Sequence, residues 1–199
     1  MAIRTTHRSR LAGATLAVTT GVICTLSVQP AGADEPVARH CVLDASTGEQ
    51  RCFGTFDEAI DRATDGRVTD APASPRAAVT SSAFRATMSK ASASASAKED
   101  TAAAGDVVQG TFFSDPGYSG DTLTISGPSL CEKDGWVNWQ HDLGDDWKNR
   151  ISSVQPWGNC AIWLYPEPNL GGDRDGPFDE NTADVGQMMN DRTQSIGFS

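Results

Sequence analysis

Histidine is scarce in this chain, with three in 199 residues, and His141 is the only one after residue 50. That argues against His-rich metal centres and against most general-base chemistry. Positive charge is also short: 16 Lys and Arg stand against 26 Asp and Glu, for a net charge of −10. Nucleic acid and anionic membrane both need a basic footprint, so neither is an expected partner. No stretch after residue 30 is apolar enough to span a bilayer. Tryptophan is absent from the first 135 residues, yet five follow. The composition is therefore uneven, and the average hides distinct segments.

The first 33 residues have the pattern of an export leader. Arg4, Arg8 and Arg10 precede an uncharged run of small and apolar residues over 11–28. Ala31, Gly32 and Ala33 then supply the small residues of a cleavage site. A secreted protein that loses residues 1–33 follows as the expectation. Cys24 leaves with the leader, and Cys41, Cys52, Cys131 and Cys160 remain. An even count in an exported chain implies disulfides. Three pairings are open to four cysteines, and the layout favours Cys41 with Cys52 and Cys131 with Cys160.

Residues 34–70 read as a small hairpin-helix module. Cys41-Val42-Leu43 and Arg51-Cys52-Phe53 flank a Ser46-Thr47-Gly48 turn. Phe56, Ala59, Ile60 and Ala63 then line one face of a helix. Thr55 with Glu58 forms a capping box, and Gly66 is placed for the C-terminal cap. A pro-segment, an independent recognition module and a flap on the main domain all fit this pattern. Residues 71–105 are mostly Ala and Ser, with Phe84 the only aromatic. They read as a linker, because little in them offsets the entropy of ordering.

Residues 106–199 carry every tryptophan and form the main domain. Short β-type runs at 107–113, 122–125, 151–154, 161–165 and 195–198 alternate with Gly, Asp, Asn and Pro. This is the pattern of an all-β sandwich. It contains a repeat. Phe113, Tyr118 and Gly120 recur 52 positions later as Tyr165, Leu170 and Gly172. Asn149-Arg150-Ile151-Ser152-Ser153 recurs 42 positions later as Asp191-Arg192-Thr193-Gln194-Ser195. In each copy an aromatic packs on a large residue across a folded hairpin, and Gly permits the turn. A later Ser can hydrogen-bond back to that hairpin.

These two copies resemble a βγ-crystallin domain, a sandwich of two Greek-key motifs, over residues 107–199. The resemblance extends to the crystallin-fold peptidase-inhibitor and killer-toxin group of secreted bacterial proteins. It implies Ca²⁺, since each acidic/Ser loop of the family supplies oxygen ligands to that hard cation. The implied ligands are Asn149 and Ser152 in copy one, and Asn190, Asp191 and Gln194 in copy two. Both loops are degenerate: Lys148 stands where an acid or amide belongs, and Gln194 where a hydroxyl belongs. Weak binding, one working site or none is the expectation. Asn149, Ser152 and Asp191 also suit a plain turn closed by local hydrogen bonds.

Copy one carries ten more residues than copy two, placed within 126–147. This loop holds Cys131, Trp136, Trp139 and His141. Trp136 and Trp139 fit either binding anchors or a lid on the core. No pair of acids is placed across a cleft, so an enzyme is not expected. A calcium-binding, structural or partner-binding module is the leading expectation. A metallopeptidase-inhibitor-like protein acting on an extracellular protease through 126–147 is the alternative.

Overall fold

The computed structural model describes residues 37–97 and 107–199, and Glu35–Ser199 cluster as one compact unit. The expected leader lies outside the described residues. In chain order the first elements are β1 (His40–Asp44), β2 (Glu49–Phe53), α1 (Phe56–Ala63), α2 (Pro75–Thr80) and α3 (Ser82–Ser96). Then follow β3 (Val107–Asp115), β4 (Ser119–Gly127), β5 (Trp139–Asp142) and β6 (Ser153–Pro156). The chain closes with β7 (Ile162–Tyr165), β8 (Asp175–Phe178), the short α4 (Gly186–Met189) and β9 (Ser195–Phe198).

Period-two alternation builds the sandwich. Leu123 and Ile125 of β4 point into the core, and Thr122 and Thr124, which alternate with them, point to the other face. One sheet has the order β2-β1-β4-β3-β6, and the other β5-β9-β7-β8. β5 leaves the first repeat to pair antiparallel with β9 in the second sheet. Thr182 of the second repeat returns the exchange by bridging Val154 in the first sheet. Each repeat is thus a Greek key that lends its third strand to the other sheet, which is the βγ-crystallin-type arrangement. Phe112, Val154 and Ile125 meet Ile162, Ile196 and Phe198 between the sheets. Phe112 and Phe198 pack edge to face at 6.2 Å.

The amino-terminal segment is built into this sandwich. β1 runs parallel to β4 and extends its edge, with β2 antiparallel outside it. Cys41 and Leu43 enter the sandwich core, whereas Val42 faces outward beneath the helices. α1 forms where its apolar face predicts. Thr55 is the N-cap residue, but its side chain makes no capping hydrogen bond, so the expected box does not close.

Residues 75–96 differ from the expected linker, since they form α2 and α3. Phe84, Met88, Ala91 and Ala95 recur at i, i+4, i+7 and i+11 and are all buried. Two large side chains and a row of alanines suffice for a stripe, because small residues let the helix approach the sheet closely. Ser81 caps α3 by accepting from the Phe84 N–H at 3.1 Å. Phe84 touches Phe56 at 6.5 Å and Trp157 at 5.8 Å, edge to face in both cases. A third layer of helices therefore covers the outer face of the first sheet. That face carries Thr111, Thr122, Thr124 and Gln155, all fully buried. It has the polar pattern of a sheet face made for water, yet here it lies under protein.

Candidate functional site

The two acidic/Ser loops face one another and bond crosswise. The Asn149 N–H donates to the Thr193 carbonyl at 2.8 Å, and the Asp191 N–H donates to the Ile151 carbonyl at 3.1 Å. Both residues are left-handed, with φ 58° and 55°, a conformation that Asn and Asp tolerate better than other side chains. The hairpins repeat the same mechanics. Ser153 Oγ donates to the Asp115 carbonyl at 2.8 Å and accepts from the Tyr118 N–H at 3.1 Å. Ser195 Oγ does the same with Glu167 at 2.6 Å and Leu170 at 3.0 Å. The serines of the sequence repeat are thus the pins of the folded hairpins. Phe113 and Tyr118 pack edge to face at 5.5 Å across the first one.

Of the expected ligands, the structure brings Ser152, Asp191 and Asn190 together. Ser152 Oγ lies 2.9 Å from the Ser114 carbonyl and 3.3 Å from Asp191 Oδ1. Asn190 Nδ2 donates to Asp191 Oδ2 at 3.1 Å, while its Oδ1 is buried without a partner. The result is a group of oxygens with one carboxylate. The Ser114 carbonyl comes from the facing hairpin of the first repeat, where the resemblance implies a backbone carbonyl. Asn149 and Gln194 belong to the other half. Gln194 is engaged through its backbone, donating to the Tyr165 carbonyl at 2.8 Å and accepting from the Leu143 N–H at 2.9 Å. Lys148 is drawn aside, with its ammonium 2.9 Å from Asp145 Oδ1. Among the described residues no group of three or more His, Cys, Asp or Glu could hold a metal ion.

The 126–147 segment divides its tryptophans. Trp147 is fully buried, and Trp139 packs partly buried against the core as the first residue of β5. Trp136 is 77% exposed. The loop around it is held by the Cys131–Cys160 disulfide. Further ties are the Cys131 N–H to the Gly158 carbonyl at 3.0 Å and the Glu132 N–H to Asn138 Oδ1 at 3.0 Å. A second disulfide joins Cys41 to Cys52 across the β1–β2 pair. His141 is half-buried in β5, and burial lowers its pKa from the ordinary value.

Asp121 carries a network that sequence reasoning missed, since its members lie far apart in the chain. It accepts from the Arg39 N–H at 2.8 Å and from Arg150 Nη2 at 2.9 Å. Burial works against the charged carboxylate, but these donors and the two guanidinium charges outweigh it and hold the pKa below the usual range. Arg150 also donates to the Asp146 carbonyl at 2.9 Å and lies 5.3 Å over the Trp147 ring. The network ties the amino-terminal strand to the first acidic/Ser loop.

No family model matches the chain, and no curated protein matches it. Solved structures do. A βγ-crystallin domain from Clostridium beijerinckii is 18% identical, over 45% of this chain and 95% of its own, with a TM-score of 0.36. The N-terminal domain of Protein S is 19% identical, over 46% of this chain and 94% of its own, with a TM-score of 0.36. A βγ-crystallin domain from Flavobacterium johnsoniae is 19% identical, over 45% and 92%, with a TM-score of 0.35. Among the described residues no helix is long and apolar enough to cross a membrane.

Proposed function

We propose that this is an exported, non-catalytic module that binds one calcium-type cation between its Greek keys. The observation that carries this reading is the oxygen group of Asp191, Ser152 and the Ser114 carbonyl, with Asn190 bonded to Asp191 beside it. An all-oxygen donor set suits a hard cation. The ion would supply positive charge where the two loops meet and so hold the repeats together. Gln194 breaks the equivalent set in the other half, so a single site is expected. One carboxylate sets the affinity in the weak range of extracellular calcium modules, near 10⁻³ M by order of magnitude. Calcium at about ten times that Kd adds about 1.4 kcal/mol, or about 3–6 °C in Tm for a unit of this size. Asp191→Asn should remove that rise while keeping the left-handed turn. A Tm unmoved by calcium, or moved equally in the variant, sinks the reading.

A second reading is peptidase inhibition through the disulfide-held loop. Its support is Trp136, a large side chain left in solvent on a loop tied at both ends. If the intact protein at micromolar concentration leaves a thermolysin-type peptidase fully active, the inhibitor reading fails for that class.

A further inference from the structure

A cleft of about 500 Å³ lies between α3 and the wall formed by 130–133 and 156–160. It exists only because the helical layer packs on the sandwich, so the β domain by itself has no such site. α3 presents Arg85, Ser89 and Ser92 to it, at i, i+4 and i+7, along one helix face. The opposite wall presents Lys133, and Asp179 also lines the cleft. Arg85 and Lys133 enter no ion pair among the described residues, with Asp179 of the same cleft or with any other acid. In an acidic protein, two cations left without carboxylate partners at one cleft are a concentrated attraction for an anion.

We propose that this cleft binds an acidic sugar, with its carboxylate held by Arg85 and Lys133. A guanidinium is matched in shape to a carboxylate and can hold both oxygens. Arg85 is backed by Trp157, whose ring centre lies 6.0 Å from the guanidinium carbon. Trp157 is itself anchored by its indole N–H to Thr111 Oγ1 at 3.1 Å. Asp179 distinguishes a sugar from an inorganic anion. Its carboxylate repels a doubly charged phosphate or sulfate more than a singly charged sugar acid, and it accepts hydrogen bonds from hydroxyls, as Ser89 and Ser92 also can. Leu130 and Pro156 offer the apolar surface that the C–H face of a sugar ring needs. The volume suits one or two rings.

The wall is preorganised. Asn159 Nδ2 donates to the Cys131 carbonyl at 3.0 Å, and the disulfide joins Cys131 to Cys160. Gly158 has φ 57°, and a Cβ there would stand 2.7 Å from the Val108 carbonyl oxygen. A wall already held in place loses little freedom when a ligand arrives, which favours affinity.

Calorimetric titration of the full chain with D-glucuronate, glucose and inorganic sulfate tests the assignment. Glucuronate is expected to bind with a Kd of about 1 mM, and glucose and sulfate far more weakly. Lys133→Gln, on an exposed loop, should weaken glucuronate about tenfold without lowering Tm. Arg85→Gln should do the same; if it melts early because Trp157 loses its cover, Lys133→Gln decides. Asp179→Asn should narrow the preference for glucuronate over sulfate. No glucuronate binding, equal binding of glucose or sulfate, or indifference to Lys133→Gln would each overturn the proposal.

Discussion

Phe84→Ala is the sharpest test of whether the Ala- and Ser-rich segment is part of the fold. Phe84 is buried at the junction of three elements, against Phe56 of α1 and Trp157 after β6. Truncating a buried phenylalanine costs about 3–5 kcal/mol through lost transfer energy and the cavity left behind. For a unit the size of Glu35–Ser199 each kcal/mol lowers Tm by about 2–4 °C. The expected fall is therefore about 6–20 °C. Thermal unfolding followed by tryptophan fluorescence and by far-UV circular dichroism reads it. Every tryptophan lies after residue 135, and Trp157 sits under Phe84. Both signals should drop in one transition at the lowered temperature. If Tm moves by less than about 2 °C, or the helical signal melts well before the fluorescence, then α3 is not docked as described.

Three more outcomes follow from the same structure. Burial lowers the pKa of His40, whose ring lies 5.8 Å from Phe56 and 3.0 Å from Thr122 Oγ1. The folded state then resists protonation. The stability this group permits is full above about pH 6.5 and falls as pH drops from there through the folded pKa; His40→Gln should flatten the denaturant-midpoint profile in that window. Replacing both Cys131 and Cys160 by Ser opens a link of sequence separation 29, with an expected loss of about 3–4 kcal/mol in urea unfolding. Trp136→Ala should leave stability within about 0.5 kcal/mol, because the side chain is mostly in solvent; a larger loss would mean that the loop is packed in solution.

The β sandwich was legible because its information is local. Phe113, Tyr118 and Gly120 meet within one hairpin, and so do Tyr165, Leu170 and Gly172. Two strands escaped notice for the same reason. β5 (Trp139-Gln140-His141-Asp142) and β8 (Asp175-Gly176-Pro177-Phe178) carry no β-type run, and they form because β9 and β7 present edges to them. α3 escaped because Phe84 and Met88 are its only large apolar anchors. Alanines carry the rest of its stripe, and they read equally well as filler. Of the five residues that the resemblance offered as cation ligands, Ser152, Asp191 and Asn190 come together, and Asn149 and Gln194 do not join them. The Ser114 carbonyl joins them only by the way the first hairpin folds over.

What the residues settle alone is therefore what neighbours in the chain can settle: the paired repeats, the folded hairpins, the face of α1 and the acidic surface. Tertiary structure decided the rest. β1 adds to the edge of β4 across some eighty positions, His40 beside Thr122. Nothing within β1 specifies that partner. The helices cover a sheet face whose Thr and Gln pattern was written for water. The physical reason is that burial rewards any apolar stripe that finds a surface, and which surface lies within reach is a property of the folded whole.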